Sequence, residues 1–138
     1  MICRGDLSVV VQRIAEDPAI LGLGDLDLKR ALASRRSGKV SLLLQDPTGL
    51  SLYVVELQFG PTDDRHLIRV VERWAAERKR HRTRRCFAVL VAGVILPRYL
   101  TLLQVIARSV PLLAMEMQVS EAGEDAEPRF TAVGQRLG

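Results

Sequence analysis

Two runs rich in aliphatic and β-branched residues, Lys39 to Gln45 and Leu50 to Phe59, stand out in the pattern of apolar and polar positions. Between them lies Asp46-Pro47-Thr48-Gly49, in which proline presets a turn and glycine can adopt the positive φ that closes it. Gly60 and Pro61 then end the second run. The pattern therefore predicts a β-hairpin.

The alternation within this hairpin places polar side chains together on one strand face. Glu56 and Gln58 are two residues apart, so they project from the same side of the second strand. If the turn pairs Gln45 with Leu50, the ladder brings Ser41 to that same face. Polar groups on so apolar a strand need partners, because an unpaired buried carboxylate is costly. A satisfied polar pair is the structural interpretation, and a functional site is the alternative.

The remaining chain alternates between helical and extended patterns. Apolar residues recur at helical spacing in three segments, two further segments have the apolar content of strands, and a third alternates weakly. This order favours an α/β fold with a mixed sheet and helices on both faces. The predicted helices are Leu7 to Glu16, Asp64 to about Arg80 and Tyr99 to Arg108; the predicted strands are Phe87 to Ile95, Leu112 to Val119 and a weak edge strand near Leu26 to Leu28.

Length and composition predict one domain. The chain has 138 residues, of which 48% are hydrophobic, enough for one core but not for two. We place the domain at residues 1–120 and interpret residues 121–138 as an acidic, partly flexible C-terminal tail with a short strand near Phe130. Trp74 is expected to anchor a helix on the sheet, and His66 to be a surface or capping residue.

Cysteine usage and apolar segments predict a cytoplasmic protein. Cys3 and Cys86 lie far apart and have no metal-ligand spacing, so we interpret both as inert thiols in a reducing compartment. The most apolar segment, Cys86 to Leu96, is too short to cross a bilayer. No membrane span is predicted.

Basic residues concentrate in the segment from Arg65 to Arg85, although the net charge of the chain is only +4. Only Glu72 and Glu77 oppose them there. Such a segment suits a polyanion, and its alternative is a solvated helix end with cations at the negative pole. The residues that we expect to contact nucleic acid are Arg69, Arg73, Arg78, Lys79 and Arg82.

The hairpin sequence resembles that of a known group of proteins. Ser-Gly-Lys-Val-Ser-Leu-Leu-Leu from Ser37, a glycine turn and Val-Val-Glu-Leu-Gln-Phe-Gly from Val54 resemble the core of the PD-(D/E)XK nuclease-like superfamily. The resemblance extends over roughly residues 10 to 119. Within this superfamily, the sequence is similar to an uncharacterised bacterial group with an E-x-Q motif. It implies a restriction-endonuclease-like mixed sheet with a central hairpin and flanking helices.

This resemblance also implies a divalent-metal site on the hairpin. Two carboxylates would hold Mg²⁺ or Mn²⁺, which polarises a phosphate and activates a water. Glu56 would be a metal ligand, Gln58 would orient the water, and Glu16 of the first helix would be a supplementary ligand. Ser41 occupies the catalytic position where the pattern has aspartate. A hydroxyl is a poorer ligand than a carboxylate for a hard cation.

The functional hypothesis is therefore a nuclease-fold protein that binds nucleic acid, with metal-dependent phosphodiester hydrolysis weakened or lost because of Ser41. The alternative is a catalytically inactive binding or assembly module of the same fold, with a homodimer among its arrangements. Metal-independent binding that is indifferent to Glu56 would distinguish the second from the first.

Overall fold

The computed structural model of the chain describes residues 4–34, 37–119 and 127–133. Six strands form a single mixed sheet, and three α-helices cover its two faces. The helices are α1 (Arg4–Glu16), α2 (Asp64–Arg80) and α3 (Pro97–Ile106), and the strands are β1 (Asp27–Ser34), β2 (Lys39–Gln45), β3 (Ser51–Pro61), β4 (Arg85–Val94), β5 (Leu112–Val119) and β6 (Pro128–Val133). No helix among these residues is long and apolar enough to cross a membrane.

The strands lie in the sheet in the order in which they occur in the chain. β1, β2 and β3 pair antiparallel, whereas β3, β4 and β5 pair parallel through the crossover helices α2 and α3. β6 returns antiparallel to β5. The segment that we interpreted as a C-terminal tail therefore contains a strand of the sheet, at the place where a strand near Phe130 was expected. Residues 120–126 and 134–138 lie outside the described part of the chain.

Each face of the sheet has its own apolar core. On one face, Val10 and Ile14 of α1 pack with Val55 and Leu57 of β3. On the other face, α2 and α3 pack over Val54 and the neighbouring residues of β3, β4 and β5. Because side chains alternate along a strand, Glu56 lies on the α2 side with Val54.

The hairpin forms, but its register differs from the expected one. Gln45 pairs with Leu52 rather than with Leu50, and Ser41 pairs directly with Glu56. The cause is Asp46, whose backbone pairs with Ser51 and whose carboxylate also accepts from the Ser51 amide at 3.2 Å. The loop consequently begins one residue later than predicted. The shift moves each partner by two positions, so the predicted face is preserved.

Helix α2 begins at a side-chain cap and packs its apolar residues on the sheet. The Asp63 carboxylate accepts from the His66 amide at 2.9 Å as an N-cap, a position that suits an anion. The helix packs Leu67, Val70 and Trp74 on the sheet. Trp74 is the expected core anchor, since it is buried and its indole N–H donates to the Cys86 carbonyl at 2.8 Å.

A close approach of two backbones fixes the far end of β3. The β3–β4 register shifts between Gln58 and Pro61, and Gly60 adopts a φ of +91° there. A Cβ added to Gly93 of β4 would lie only 3.1 Å from the Gly60 nitrogen. Both glycines are therefore required by geometry: one by its φ, the other by the space available.

Candidate functional site

The centre of the hairpin holds the carboxylate that the sequence predicts as a metal ligand. Glu56 is fully buried, and Ser41 lies directly across the ladder from it. The Ser41 hydroxyl donates to Glu56 Oε1 at 2.8 Å. The position at which the superfamily pattern has a second acid thus supplies a hydrogen-bond donor to the first.

Two arginines of α2 reach the same carboxylate from successive helical turns. Arg69 Nε lies 2.7 Å from Glu56 Oε1, and Arg73 Nε lies 3.3 Å from Oε2. Burial raises the pKa of Glu56, against the opposing effects of Ser41, Arg69 and Arg73. We call these four residues, Ser41, Glu56, Arg69 and Arg73, the hairpin centre.

The hairpin centre does not fit a divalent cation. One carboxylate and two guanidinium groups leave it with a net charge of +1 when Glu56 is ionised, whereas Mg²⁺ and Mn²⁺ sites use anionic oxygen ligands. Among the described residues, no cluster of three or more histidine, cysteine or acidic side chains could hold a metal. The charge and the ligand set of the hairpin centre therefore do not support a metal-dependent reaction.

The supplementary ligand Glu16 is not brought to this centre. Its helix packs Val10 and Ile14 on the opposite face of the sheet, and Glu16 itself is exposed and accepts from Gln12 Nε2 at 3.1 Å. The expectation fails because the apolar stripe of α1 determines which face the helix covers. The sheet separates Glu16 from Glu56.

Gln58 is buried on the same strand face as Glu56, as expected. Its amide nitrogen donates to the Pro61 carbonyl at 2.9 Å, across the irregularity at the end of β3. Its Oε1 has no hydrogen-bond partner among the described residues. Gln58 thus holds the end of the strand, and its role toward a water stays a prediction.

His66 is a buried residue, so the expectation of a surface or capping side chain was wrong. Its ring Nε2 lies 2.9 Å from the Glu56 carbonyl, and its Nδ1 lies 2.8 Å from the Thr62 hydroxyl. Because a carbonyl only accepts, Nε2 carries the proton and Nδ1 accepts from Thr62. Burial lowers the pKa of His66 to about 4, consistent with a neutral ring. The signal for this contact in the sequence was the spacing of Thr62 and His66 across the start of α2.

A second buried carboxylate extends the charged contacts between α2 and the sheet. Glu77 pairs with Arg30 of β1, and Arg80 and His81 approach it at 3.6 Å and 3.4 Å. The sequence pattern did not indicate this cluster, because Arg30 and Glu77 are 47 residues apart in the chain. A cavity of about 300 Å³, lined by both Glu56 and Glu77, lies between the helix and the strands.

A larger cleft beside the C-terminal half of α2 gathers much of the basic segment. It has a volume of about 930 Å³, and no carboxylate is among its lining residues in the described chain. We call it the basic cleft; the charged side chains that line it are Arg78, Lys79, Arg82, Arg84 and Arg85.

Contacts to neutral groups order two of these side chains. The Arg78 guanidinium lies 5.3 Å from the centre of the Trp74 ring, and Arg84 Nη1 donates to Gln45 Oε1 at 3.1 Å. Neither contact neutralises the arginine. Both positive charges therefore remain available to an anion.

The residues predicted to contact nucleic acid thus fall into two groups. Arg69 and Arg73 turn to Glu56, whereas Arg78, Lys79 and Arg82 line the basic cleft. The cleft lies near the start of β4, where Arg85 pairs with Ser51. Glu56 is five residues farther along β3 and is not among the described residues that line the cleft.

Comparison with known proteins supports the fold. No protein-family model matches the sequence, and no curated protein does. Among solved structures, the chain is similar to EndoMS in apo form, with a TM-score of 0.61 and 17% sequence identity. The similarity covers 79% of this chain and 45% of that chain, so this chain spans less than half of that protein. A likeness at this identity shows the fold alone: the chain has the predicted α/β fold with a mixed sheet, a central hairpin and flanking helices, and it shares this fold with EndoMS.

Proposed function

We propose that this protein binds nucleic acid through the basic cleft and that its hairpin centre does not hydrolyse phosphodiester bonds. The basic cleft is the observation that carries the proposal. Five basic side chains line a single cleft, with no carboxylate among the described lining residues. The nuclease-like fold supports nucleic acid as the polyanion.

The chemistry of the cleft favours phosphate contacts. Arginine presents its N–H groups in a planar fork that matches phosphate oxygens, and four of the five basic residues are arginines. Contacts of this kind position a nucleic acid without reading its sequence. We therefore expect strongly salt-dependent binding with little sequence preference.

Two features of the hairpin centre argue against hydrolysis. Glu56 is its only acid, and it is engaged by Ser41, Arg69 and Arg73. Glu56 is also not among the described residues that line the basic cleft, so the side chains that would hold a phosphate there do not present it to this carboxylate. Both features favour the inactive binding module over the metal-dependent nuclease.

Fluorescence anisotropy with labelled duplex DNA, single-stranded DNA and RNA tests the binding. The double variant Arg78→Ala/Arg82→Ala removes two cleft charges. Its matched control, Arg13→Ala/Arg65→Ala, makes the same change in net charge at residues that do not line the cleft. We expect the cleft variant to weaken binding and to reduce the slope of log K against log salt by about 2. Equal losses in both variants would contradict a localised site.

Incubation of the same substrates with Mg²⁺ or Mn²⁺ tests the absence of hydrolysis. We expect binding to be unchanged by EDTA and by Glu56→Gln, and we expect no cleavage products with either metal. Cleavage that requires the metal and disappears in Glu56→Gln would establish the nuclease instead.

A further inference from the structure

We propose that the guanidinium of Arg73 is the resident cation of the hairpin centre and that it excludes divalent metal even when a second carboxylate is restored at position 41. This inference concerns the Glu56 side of α2. It is independent of nucleic-acid binding in the basic cleft.

The two oxygens of Glu56 are not equivalent. Oε1 accepts from the Ser41 hydroxyl at 2.8 Å and from Arg69 Nε at 2.7 Å. Oε2 has no hydrogen-bond partner among the described residues, and its charge is met by Arg73 Nε at 3.3 Å. Oε2 is therefore the oxygen with free lone pairs, and any incoming cation has to compete with Arg73 for it.

Arg73 is the more exposed of the two arginines, so its replacement disturbs the buried contacts of Glu56 less. Its side chain is 43% exposed and lines the 300 Å³ cavity beside Glu56, whereas the side chain of Arg69 is only 19% exposed. Replacement of Arg73 by alanine enlarges the cavity next to Oε2. The contacts of Arg69 and Ser41 with Oε1 are left in place.

Charge distinguishes the possible variants. The wild-type centre carries +1 with Glu56 ionised. Ser41→Asp brings it to neutrality, and Ser41→Asp/Arg73→Ala leaves it at −1 with two carboxylates across one ladder pair. Only this last centre offers a divalent cation both anionic ligands and a negative net charge.

Calorimetric titration with Mn²⁺ tests the proposal. We expect no binding to wild type, little to Ser41→Asp, and binding at least about tenfold tighter to Ser41→Asp/Arg73→Ala. The matched control is Ser41→Asp/Arg80→Ala, which removes an arginine from the same cavity that faces Glu77 instead; it should behave like Ser41→Asp. Equal Mn²⁺ affinity in Ser41→Asp and Ser41→Asp/Arg73→Ala would overturn the proposal, as would failure of the latter to bind.

A rescue experiment covers the case in which the aspartate variants do not fold. Arg73→Ala keeps Ser41 and leaves Glu56 Oε2 beside an enlarged cavity. We expect millimolar guanidinium chloride to raise the midpoint of thermal unfolding of Arg73→Ala relative to the same concentration of sodium chloride, and not to raise that of wild type. Identical responses of the two proteins would show that Arg73 is not a resident cation.

Discussion

The buried ring of His66 makes the stability of the fold depend on pH. Its Nε2–H donates to the Glu56 carbonyl and its Nδ1 accepts from Thr62, an arrangement that needs the neutral ring. Burial lowers the pKa of His66 from 6.5 to about 4. Between these two values the unfolded chain binds a proton at this site and the folded chain does not.

The sign and size of the effect follow from proton linkage. Because the folded pKa is the lower one, the contribution of His66 to stability is fully present above pH 6.5 and is lost as the pH falls toward 4. With these two pKa values, lowering the pH from 7.5 to 5.0 should cost about 2 kcal/mol of unfolding free energy.

Urea unfolding followed by circular dichroism at the two pH values measures this loss. In His66→Gln the loss between pH 7.5 and 5.0 should be smaller by about 2 kcal/mol than in wild type. The control His81→Gln removes the other histidine and should retain the His66 contribution. An unchanged pH dependence in His66→Gln would refute the argument from burial.

Four further variants probe the hairpin centre and the packing around it, each measured by urea unfolding. Glu56→Ala should lose roughly 3 kcal/mol of unfolding free energy, because it leaves the arginines without their buried anion, and Glu56→Gln should lose less. If both variants were as stable as wild type, the ion pairs would contribute nothing to stability. Gly93→Ala should cost about 1–3 kcal/mol through the contact of the new Cβ with the Gly60 backbone, and an unchanged midpoint would mean that the two strands separate freely. Trp74→Phe should cost about 1–2 kcal/mol by leaving the Cys86 carbonyl unpaired; a neutral result would mean that water replaces the indole N–H.

Much of the fold was predictable because its signals are local. The Pro-Thr-Gly turn predicts the hairpin, Asp63 marks the start of α2, and the apolar run from Phe87 predicts a buried central strand; all three are present. The predicted register was wrong by two residues, but an even shift leaves each side chain on the same strand face, so the predicted face was correct.

The partners of the charged residues were not predictable in the same way. Arg69 and Arg73 have the same appearance in the sequence as Arg78 and Arg82, yet the first two contact Glu56 and the others line the basic cleft. The resemblance implied Glu16 as a supplementary site acid, but α1 covers the other face.

The sequence by itself determined most of the elements, the strand face of Ser41, Glu56 and Gln58, and the basic character of α2, because each depends on residues close along the chain; the full extent of the edge strand β1 was not among them. Only the tertiary structure decided that Ser41 and two arginines engage Glu56, and that the other basic residues form a separate cleft. These outcomes depend on which helix crosses which strand and on how far each side chain reaches. The carboxylate that the resemblance implies as a metal ligand is thereby provided with cations from its own chain.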